Sequence, residues 1–357
     1  MTFSRFPPGN LRNTAKEVLA RFHGLLGRNR LSVLQARHPL LVLCYHRVIA
    51  ERGLGQAPFP GLCVGESAFA RQVAYLADHF EVVTLSEAVA RLPLLSNGSR
   101  PLAVITLDDG YVDNYRVAFP VLRRLGVPAT VFLVADHVGT SEPLWFDAFA
   151  LQVFQAEREG RLKRLADGLL GQAAARAVAR PLHLRGSLHH RAHAAVTAMK
   201  ALPERERAVL VEAVFTLMGD LDAGTVERIR LMNWDEVREM AAGGIEFGSH
   251  TATHPILPGL PSDRLDREVS ASKWTLETEI GGPVTAFCYP NGDHDEAVVH
   301  AVQAAGYTCA VTTLAATNLA NTSPFLLNRE SVGPRTGIGF GGRVSGAVFT
   351  AELLHLF

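Results

Sequence analysis

A nearly continuous apolar run at 101–107 is the feature that most restricts the fold of this chain. A short run of this kind, without polar alternation, is typical of a strand that is buried on both of its faces. A helical pattern follows at 114–125, then turn residues at 126–128 and a second apolar run at 129–134. Strand, helix and strand in this order predict a parallel sheet of an α/β protein.

The same alternation recurs along the chain. Further strands are predicted at 39–46, 81–85, 245–248, 284–288, 307–313 and 325–332. A length of 357 residues allows one elaborated α/β barrel or two domains. Residues 139–230 interrupt the alternation, because they are rich in Ala, Leu and Arg and lack β-branched runs. They are predicted to be a helical insertion, and the pattern alone favours a structural role over a lid.

The composition indicates which kinds of binding partner and which cellular compartment fit this protein. Lys plus Arg and Asp plus Glu each number 35, whereas proteins that bind nucleic acid usually carry a basic excess. The sequence therefore predicts no nucleic-acid partner. Three of the four cysteines, Cys44, Cys288 and Cys309, lie in predicted strands, where buried free thiols are typical. A reducing compartment fits this pattern.

Two histidines four residues apart directly follow a predicted strand. Pro255 disfavours a helix through His250 and His254, so both are expected on a loop at the strand end. Imidazole is the commonest side-chain ligand of divalent metals. The spacing alone is a weak signal, because His189 and His193 share it. The surroundings of that second pair are rich in Arg and Ala and favour a solvated helix face over a metal site.

Polar groups follow four of the predicted strands. These groups are His46, the pair Asp108 and Asp109, the pair His250 and His254, and the segment Tyr289-Pro290-Asn291. In a parallel barrel the carboxyl ends of the strands share one face, and catalytic residues lie there. One carboxylate with two imidazoles is a metal-ligand set that leaves a position open, and the other carboxylate is then available as a base. The alternative for Asp-Asp-Gly is a plain turn with a helix cap.

These motifs resemble those of a known family. Thr106-Leu107-Asp108-Asp109-Gly110 resembles the first motif of the polysaccharide deacetylases, the NodB-homology group of carbohydrate esterases. His250-Thr251-Ala252-Thr253-His254 resembles their second motif. With its flanks the resemblance covers residues 41–332, apart from the insertion. It implies a distorted (β/α) barrel of the NodB-homology type that removes N-acetyl groups from amino sugars with one divalent metal ion.

The resemblance also implies roles for individual residues. Asp108 corresponds to the general base of the family. The corresponding metal ligands are Asp109, His250 and His254. Zinc is the first expectation for the ion, with nickel, cobalt and manganese as alternatives.

One departure from the family concerns its third motif. The arginine that the family carries before its Pro-Tyr is absent here, where the sequence reads Phe-Cys-Tyr-Pro-Asn. Tyr289, Pro290 and Asn291 are therefore expected to form the oxyanion and substrate segment through a backbone N–H near Asn291. Arg329, on the last predicted strand, is expected to replace the missing cation.

A second departure is the absence of the histidine that the family carries near its C-terminus. A Tyr-His-Arg-Val strand near the N-terminus resembles the permuted variant of the family instead. In that variant the histidine acts as the acid, which corresponds to His46. The alternative is a histidine that only forms a hydrogen bond at the barrel end.

The N-terminal segment predicts a basic amphipathic helix at 11–30. Its apolar stripe consists of Val18, Leu19, Phe22, Leu25 and Leu26. Such a helix can lie in the face of an anionic bilayer, and packing on the protein's own core is an equal alternative. Neither a secretory signal nor a membrane-spanning run is recognised. The expected location is therefore cytoplasmic, with peripheral contact to the inner face of the membrane.

The predicted substrate is an N-acetylated glycan or a lipid-linked sugar in polysaccharide or exopolysaccharide biosynthesis. One alternative is a catalytically degenerate binding or scaffold protein, favoured by the missing arginine and opposed by the intact Asp-Asp and His-His sets. A barrel glycosidase fits poorly, because its two carboxylates sit on separate elements about 5–9 Å apart. The predicted parts are an N-terminal helix (1–38), a deacetylase barrel (39–138 and 231–335), the insertion (139–230) and a C-terminal tail (336–357) without an assigned role.

Overall fold

The computed structural model of the chain describes residues 8–28, 30–54, 57–95, 100–170 and 175–357. The first seven residues of the predicted N-terminal part therefore lie outside the described residues. The strands are β1 (Leu40–Tyr45), β2 (Arg47–Ile49), β3 (Cys63–Gly65), β4 (Glu81–Val82), β5 (Leu102–Leu107), β6 (Thr130–Leu133), β7 (Glu246–Ser249), β8 (Ala286–Cys288), β9 (Cys309–Val311) and β10 (Glu330–Ser331).

The helices surround the strands and fill the segment between β6 and β7. They are α1 (Pro8–Leu25), α2 (Leu31–Arg37), α3 (Glu66–His79), α4 (Leu85–Arg91), α5 (Phe119–Leu125), α6 (Trp145–Arg158), α7 (Leu162–Leu170), α8 (Arg176–His183), α9 (Leu188–Lys200), α10 (Glu204–Met218), α11 (Ala223–Ile229), α12 (Trp234–Ala242), α13 (Ser262–Asp266), α14 (Ser272–Ile280), α15 (Glu296–Ala304) and α16 (Gly346–Leu353). Within the described ranges, none of these helices has the length and the apolar character needed to cross a bilayer.

The strands form one curled parallel sheet. Its order is β10, β1, β5, β6, β7, β8 and β9, with β4 beside β5, and these pairings are parallel. A parallel bridge between Val311 of β9 and Leu327, just before β10, connects the two edges of the sheet. β2 and β3 form a separate parallel pair. The predicted distorted (β/α) barrel of the NodB-homology type is confirmed.

Alternate residues of the central strands serve the two faces of the sheet. In β5, Leu102 and Val104 join a hydrophobic cluster inside the barrel that includes Phe132. Ala103 and Ile105 belong to a larger cluster that the strands share with the surrounding helices. Burial on both faces explains why β5 is apolar at every position but Thr106. Cys44, Cys288 and Cys309 are buried and free, as predicted, and so is Cys63.

Helices α6 to α10 enclose a second hydrophobic cluster. Phe149, Leu165 and Val214 are buried within it. Tyr111 and Leu231, which lie at the barrel, belong to the same cluster and form an antiparallel bridge with each other. The helical segment is therefore packed directly against the barrel, near the strand end that carries Asp-Asp-Gly.

The first and last helices pack against each other. Ala20 of α1 is buried beside Val348 and Ala351 of α16, and Lys16 forms an ion pair with Glu352. The C-terminal segment, to which the sequence assigned no role, thus supports α1. The apolar stripe of α1 points outward, with exposed fractions of 45% to 85% for Leu11, Val18, Leu19, Phe22, Leu25 and Leu26. The helix therefore packs on the protein through Ala20, as the alternative expected, while its apolar stripe stays exposed.

Candidate active site

The carboxyl ends of neighbouring strands meet at the floor of one cavity. The side chains at the floor are His46 after β1, Asp108 and Asp109 after β5, and His250 and His254 after β7. The cavity has a volume of about 750 Å³. Its position at the carboxyl ends of the strands is that of catalytic sites in parallel barrels.

Three side chains bring one ligand atom each to a common point. The Oδ1 of Asp109 lies 3.5 Å from Nε2 of His250 and 3.5 Å from Nε2 of His254. The ligand atoms of the three residues all lie within 4.8 Å of one another. All three residues are buried. Such a set can hold a metal ion.

The electrostatics of these residues fit a divalent cation. Burial lowers the pKa of both His250 and His254, so the imidazoles are neutral at pH 7 and their 3.5 Å contacts with Asp109 are not ion pairs. Burial and the charge of Asp108 raise the pKa of Asp109 well above its ordinary value. A buried carboxylate between two neutral imidazoles lacks a compensating cation. Neutral imidazoles and a carboxylate are the ligand forms that a metal ion requires.

A hydrogen bond from the side opposite Asp109 fixes the orientation of the His250 imidazole. Nδ1 of His250 donates a hydrogen bond to the carbonyl oxygen of Cys288, at 2.8 Å. This bond requires the proton on Nδ1, so Nε2 is left with its lone pair toward Asp109. A carbonyl oxygen behind an imidazole is the usual support of a metal-ligating histidine. For His254, the structure describes no hydrogen-bond partner of the buried Nδ1.

The backbone at the site adopts an uncommon conformation. Among the described residues, four of the five non-glycine positions with positive φ lie here, at Asp109 (73°), Thr251 (72°), His254 (59°) and Asn291 (56°). For a β-branched residue such as Thr251 this conformation is strained. The buried carboxylate of Glu268 holds the histidine loop by accepting two backbone N–H bonds, at 3.0 and 2.8 Å. Strain of this kind is typical of functional sites.

A buried arginine holds Asp108. Arg329 donates to both carboxylate oxygens of Asp108, at 2.7 and 2.8 Å, and from Nε to the carbonyl oxygen of Thr312, at 2.8 Å. Burial alone would raise the pKa of Asp108, but the adjacent guanidinium holds it well below its ordinary value. Asp108 is therefore ionised. The structure places Arg329 beside this carboxylate and outside the cavity lining, which differs from the oxyanion and substrate position expected from the sequence.

His46 lies in the cavity near the same carboxylate. A ring nitrogen of His46 and a carboxylate oxygen of Asp108 are within 4.8 Å of each other. Its Nδ1 lies 4.0 Å from Sγ of Cys44, which is too long for a strong hydrogen bond. Burial lowers the pKa of His46 to about 4, although the charge of Asp108 opposes this shift. The imidazole is therefore neutral at pH 7.

The segment after β8 sends only one side chain to the cavity. Asn291 lines the cavity, accepts a hydrogen bond on Oδ1 from Nζ of Lys200, at 2.5 Å, and has no described partner for its buried Nδ2. The hydroxyl of Tyr289 donates to the carbonyl oxygen of Phe325 instead, at 3.1 Å. Pro290 is buried at the start of a short 3₁₀ turn. Neither Tyr289 nor Pro290 belongs to the described cavity lining.

Helix α9 forms a wall of the cavity that sequence reasoning missed. His189, His193 and Lys200 line the cavity. His193 is exposed and no described group of potential metal ligands contains either histidine, so the predicted solvated helix face faces the cavity. The insertion folds back over the barrel, where the ring of Phe146 packs 5.3 Å from that of His254. The available signal was the spacing of the polar residues, which places positions 189, 193, 197 and 200 on one helix face. The insertion thus lines the cavity, and its role as a structural element or a lid stays a prediction.

The sequence matches a family model described as polysaccharide deacetylase. The match covers residues 96–169 and 206–310, which together make up half of the chain. YxkH of Bacillus subtilis (strain 168), a protein assigned by name to the polysaccharide deacetylases, is 22% identical over 307 residues. That alignment covers 85% of this chain and 76% of YxkH.

Solved structures of low sequence identity share the fold. PplD, a deacetylase of Streptococcus pyogenes solved in complex with acetate, has a TM-score of 0.53 at 17% identity, covering 83% of this chain and 93% of PplD. IcaB of Ammonifex degensii has a TM-score of 0.53 at 19% identity, covering 88% of this chain and 96% of IcaB. The chain belongs to the polysaccharide deacetylase family and is a hydrolase that acts on carbon–nitrogen amide bonds.

Proposed function

We propose that this protein is a metal-dependent deacetylase that removes the N-acetyl group of an amino sugar. The substrate would be an N-acetylated glycan or a lipid-linked sugar in polysaccharide or exopolysaccharide biosynthesis. The observation that carries the proposal is the convergence of Asp109, His250 and His254 on one point, with the ionised Asp108 beside them. The cavity above them has a volume in the usual range for small-molecule sites.

The three convergent residues would hold one divalent ion. Two imidazoles and one carboxylate suit zinc first, with nickel, cobalt and manganese as alternatives. The bound ion would supply Lewis-acid polarisation of the acetyl carbonyl and a lowered pKa for water. Glu268 and the carbonyl of Cys288 keep the ligand loop and the ring of His250 in position.

Asp108 is proposed as the general base. Its carboxylate is ionised and is oriented at both oxygens by Arg329, so it is ready to accept a proton from the attacking water. Arg329 acts through Asp108 and is a positioning residue. The cation that the family carries in its third motif is thus replaced from a different strand, beside the base.

His46 is proposed to protonate the leaving nitrogen, and the loop at Asn291 is proposed to stabilise the oxyanion. His46 is neutral at rest, so it acts as an acid only after it receives a proton, which Asp108, within 4.8 Å, would pass to it through a water molecule. The imidazole would then protonate the leaving nitrogen, which is otherwise a poor leaving group. A backbone N–H near Asn291 would stabilise the oxyanion.

Acetate release with and without metal tests the proposed function. Purified protein should contain roughly one divalent ion per chain and release acetate from N-acetylated oligosaccharides. Dialysis against a chelator should abolish release, and added zinc should restore it. Full release by metal-free protein would contradict the metal dependence. Bound metal without acetate from any N-acetylated glycan or lipid-linked sugar would support the degenerate scaffold instead.

We also propose that α1 contacts an anionic membrane surface. Its outward apolar stripe is flanked by Arg12, Arg28 and Arg30, which are exposed. An apolar stripe with cationic neighbours is complementary to anionic lipid headgroups. The packing of α1 on α16 would tether the barrel to the membrane, where lipid-linked sugars are found.

Replacing both Phe22 and Leu25 by glutamate should weaken the affinity for phosphatidylglycerol-containing vesicles, measured by co-sedimentation, by about tenfold or more. Two apolar side chains are lost from the contact and two like charges are added. The matched control is Leu94→Glu, because Leu94 is an equally exposed leucine (77%) outside α1. Unchanged sedimentation of the double variant would contradict membrane contact through α1.

A further inference from the structure

One wall of the cavity takes no part in cleaving the amide bond. Helix α9 contributes His189, His190, His193 and Lys200 to the cavity lining. This helix lies in residues 170–205, between the two segments that match the family. Its side chains are therefore a feature of this chain beyond the matched family pattern.

The charges of the cavity are unbalanced. Its lining contains Lys200 and Arg335, and neither has a carboxylate within 4.0 Å among the described residues. The carboxylates of the lining are Asp108, which is neutralised by Arg329, and the proposed metal ligand Asp109. The charges of Asp109 and, outside the lining, of the exposed Asp293 act on Lys200, but neither carboxylate forms an ion pair with it. An entering anion therefore meets two cations, Lys200 and Arg335, that no described ion pair neutralises.

Lys200 presents its ammonium group where a substrate can reach it. The group is accessible from the cavity and donates to Oδ1 of Asn291, at 2.5 Å. Nδ2 of the same carboxamide is buried, so the ammonium group of Lys200 is the donor that an entering ligand can reach. Enclosure by the cavity walls lowers the pKa of Lys200, and a bound anion would raise it again.

We propose that Lys200, held by Asn291, binds an anionic substituent of the acetamido sugar, either a phosphate or a carboxylate. Arg335 adds positive potential around this subsite. Both substituents offer oxygens that accept charge-assisted hydrogen bonds. The inference rests on the proposed deacetylase function, with the amide at the cavity floor and the anion at the α9 wall. Sugars on a phosphate carrier and glycans with uronic acids share this chemistry.

Three matched sugars test the subsite with the full-length, zinc-loaded protein. They are N-acetylglucosamine 1-phosphate, N-acetylglucosaminyl-glucuronic acid and the neutral methyl N-acetylglucosaminide. Acetate release gives kcat and KM, and calorimetry gives Kd. The parent should prefer at least one anionic sugar by about tenfold or more in kcat/KM. Lys200→Met should remove most of this preference, mainly by raising KM, and Lys200→Arg should retain part of it. The better anionic sugar identifies the substituent.

A matched control and two outcomes decide between the proposals. Arg185→Gln removes an exposed charge just before α9, outside the cavity lining, and should keep the preference. Thermal unfolding checks that each variant is folded. Acetate release without an anionic preference, or with a preference that survives Lys200→Met, would overturn the subsite alone. Lys200-dependent binding of the anionic sugars without acetate release would support the subsite and overturn the deacetylase function.

Discussion

Replacing Asp108 by asparagine is expected to lower kcat by about 10²- to 10⁴-fold, the usual contribution of a general base. The amide keeps the size of the side chain and still accepts a hydrogen bond from Arg329, but it cannot take a proton from water. The metal ligands are untouched, so metal content should stay at the level of the parent. Acetate release and metal analysis on the same preparation measure both quantities.

This substitution also leaves Arg329 as a buried charge without a carboxylate, which costs roughly 3–5 kcal/mol of stability. A matched control separates this effect from catalysis. Arg47 donates two hydrogen bonds to Asp113, at 2.8 and 2.7 Å, in a second buried pair outside the cavity lining. Asp113→Asn should lower the Tm by a similar amount while kcat stays within several-fold of the parent. A kcat for Asp108→Asn within tenfold of the parent would exclude Asp108 as the base.

Removing the imidazole of His254 is expected to abolish metal binding at micromolar concentration and, with it, acetate release. The substitution deletes one of three protein ligands, and two ligands do not close a zinc site. Because His254 has a φ of 59°, asparagine is preferable to alanine, since it tolerates this backbone conformation better. Competition with a chromophoric chelator measures the metal Kd without reference to activity.

His193→Ala is the natural control for this experiment. His193 shares the spacing of a histidine pair and lies in the same cavity, but no described group of potential ligands includes it. Its substitution should leave the metal Kd unchanged. If His254→Asn retained one tightly bound ion per chain, His254 would have to be removed from the proposed ligand set.

The barrel could be predicted because the apolar sequences of its strands indicate that both faces of these strands are buried. The run at 102–107 is apolar at every position but Thr106, and both of its faces are buried in the structure. The strand ends could be grouped for the same reason, since parallel strands leave their carboxyl ends on one side. The contact between Arg329 and Asp108 could not be derived, because it depends on the register in which β10 meets β1, at Leu43 and Glu330.

The α9 wall was beyond sequence reasoning for a different reason. A helix with polar residues on one side has the same sequence pattern whether that side faces bulk water or a cavity. The choice is made by the second hydrophobic cluster, which fixes α9 over the barrel through contacts such as those of Ala195 and Met199. The domain boundaries, the cytoplasmic location and the roles of individual site residues stay predictions.

The neighbourhood of β1 and β10 has one more consequence. The first and the last strands in the sequence, β1 and β10, are neighbours in the sheet, and α1 packs against α16. The sheet therefore has a cyclic order that is independent of where the polypeptide is opened. Joining the two ends of the chain by a linker and opening it in an exposed loop elsewhere would give a circular permutant. This permutant would keep each strand beside its present neighbours, and with them the arrangement of the proposed ligands.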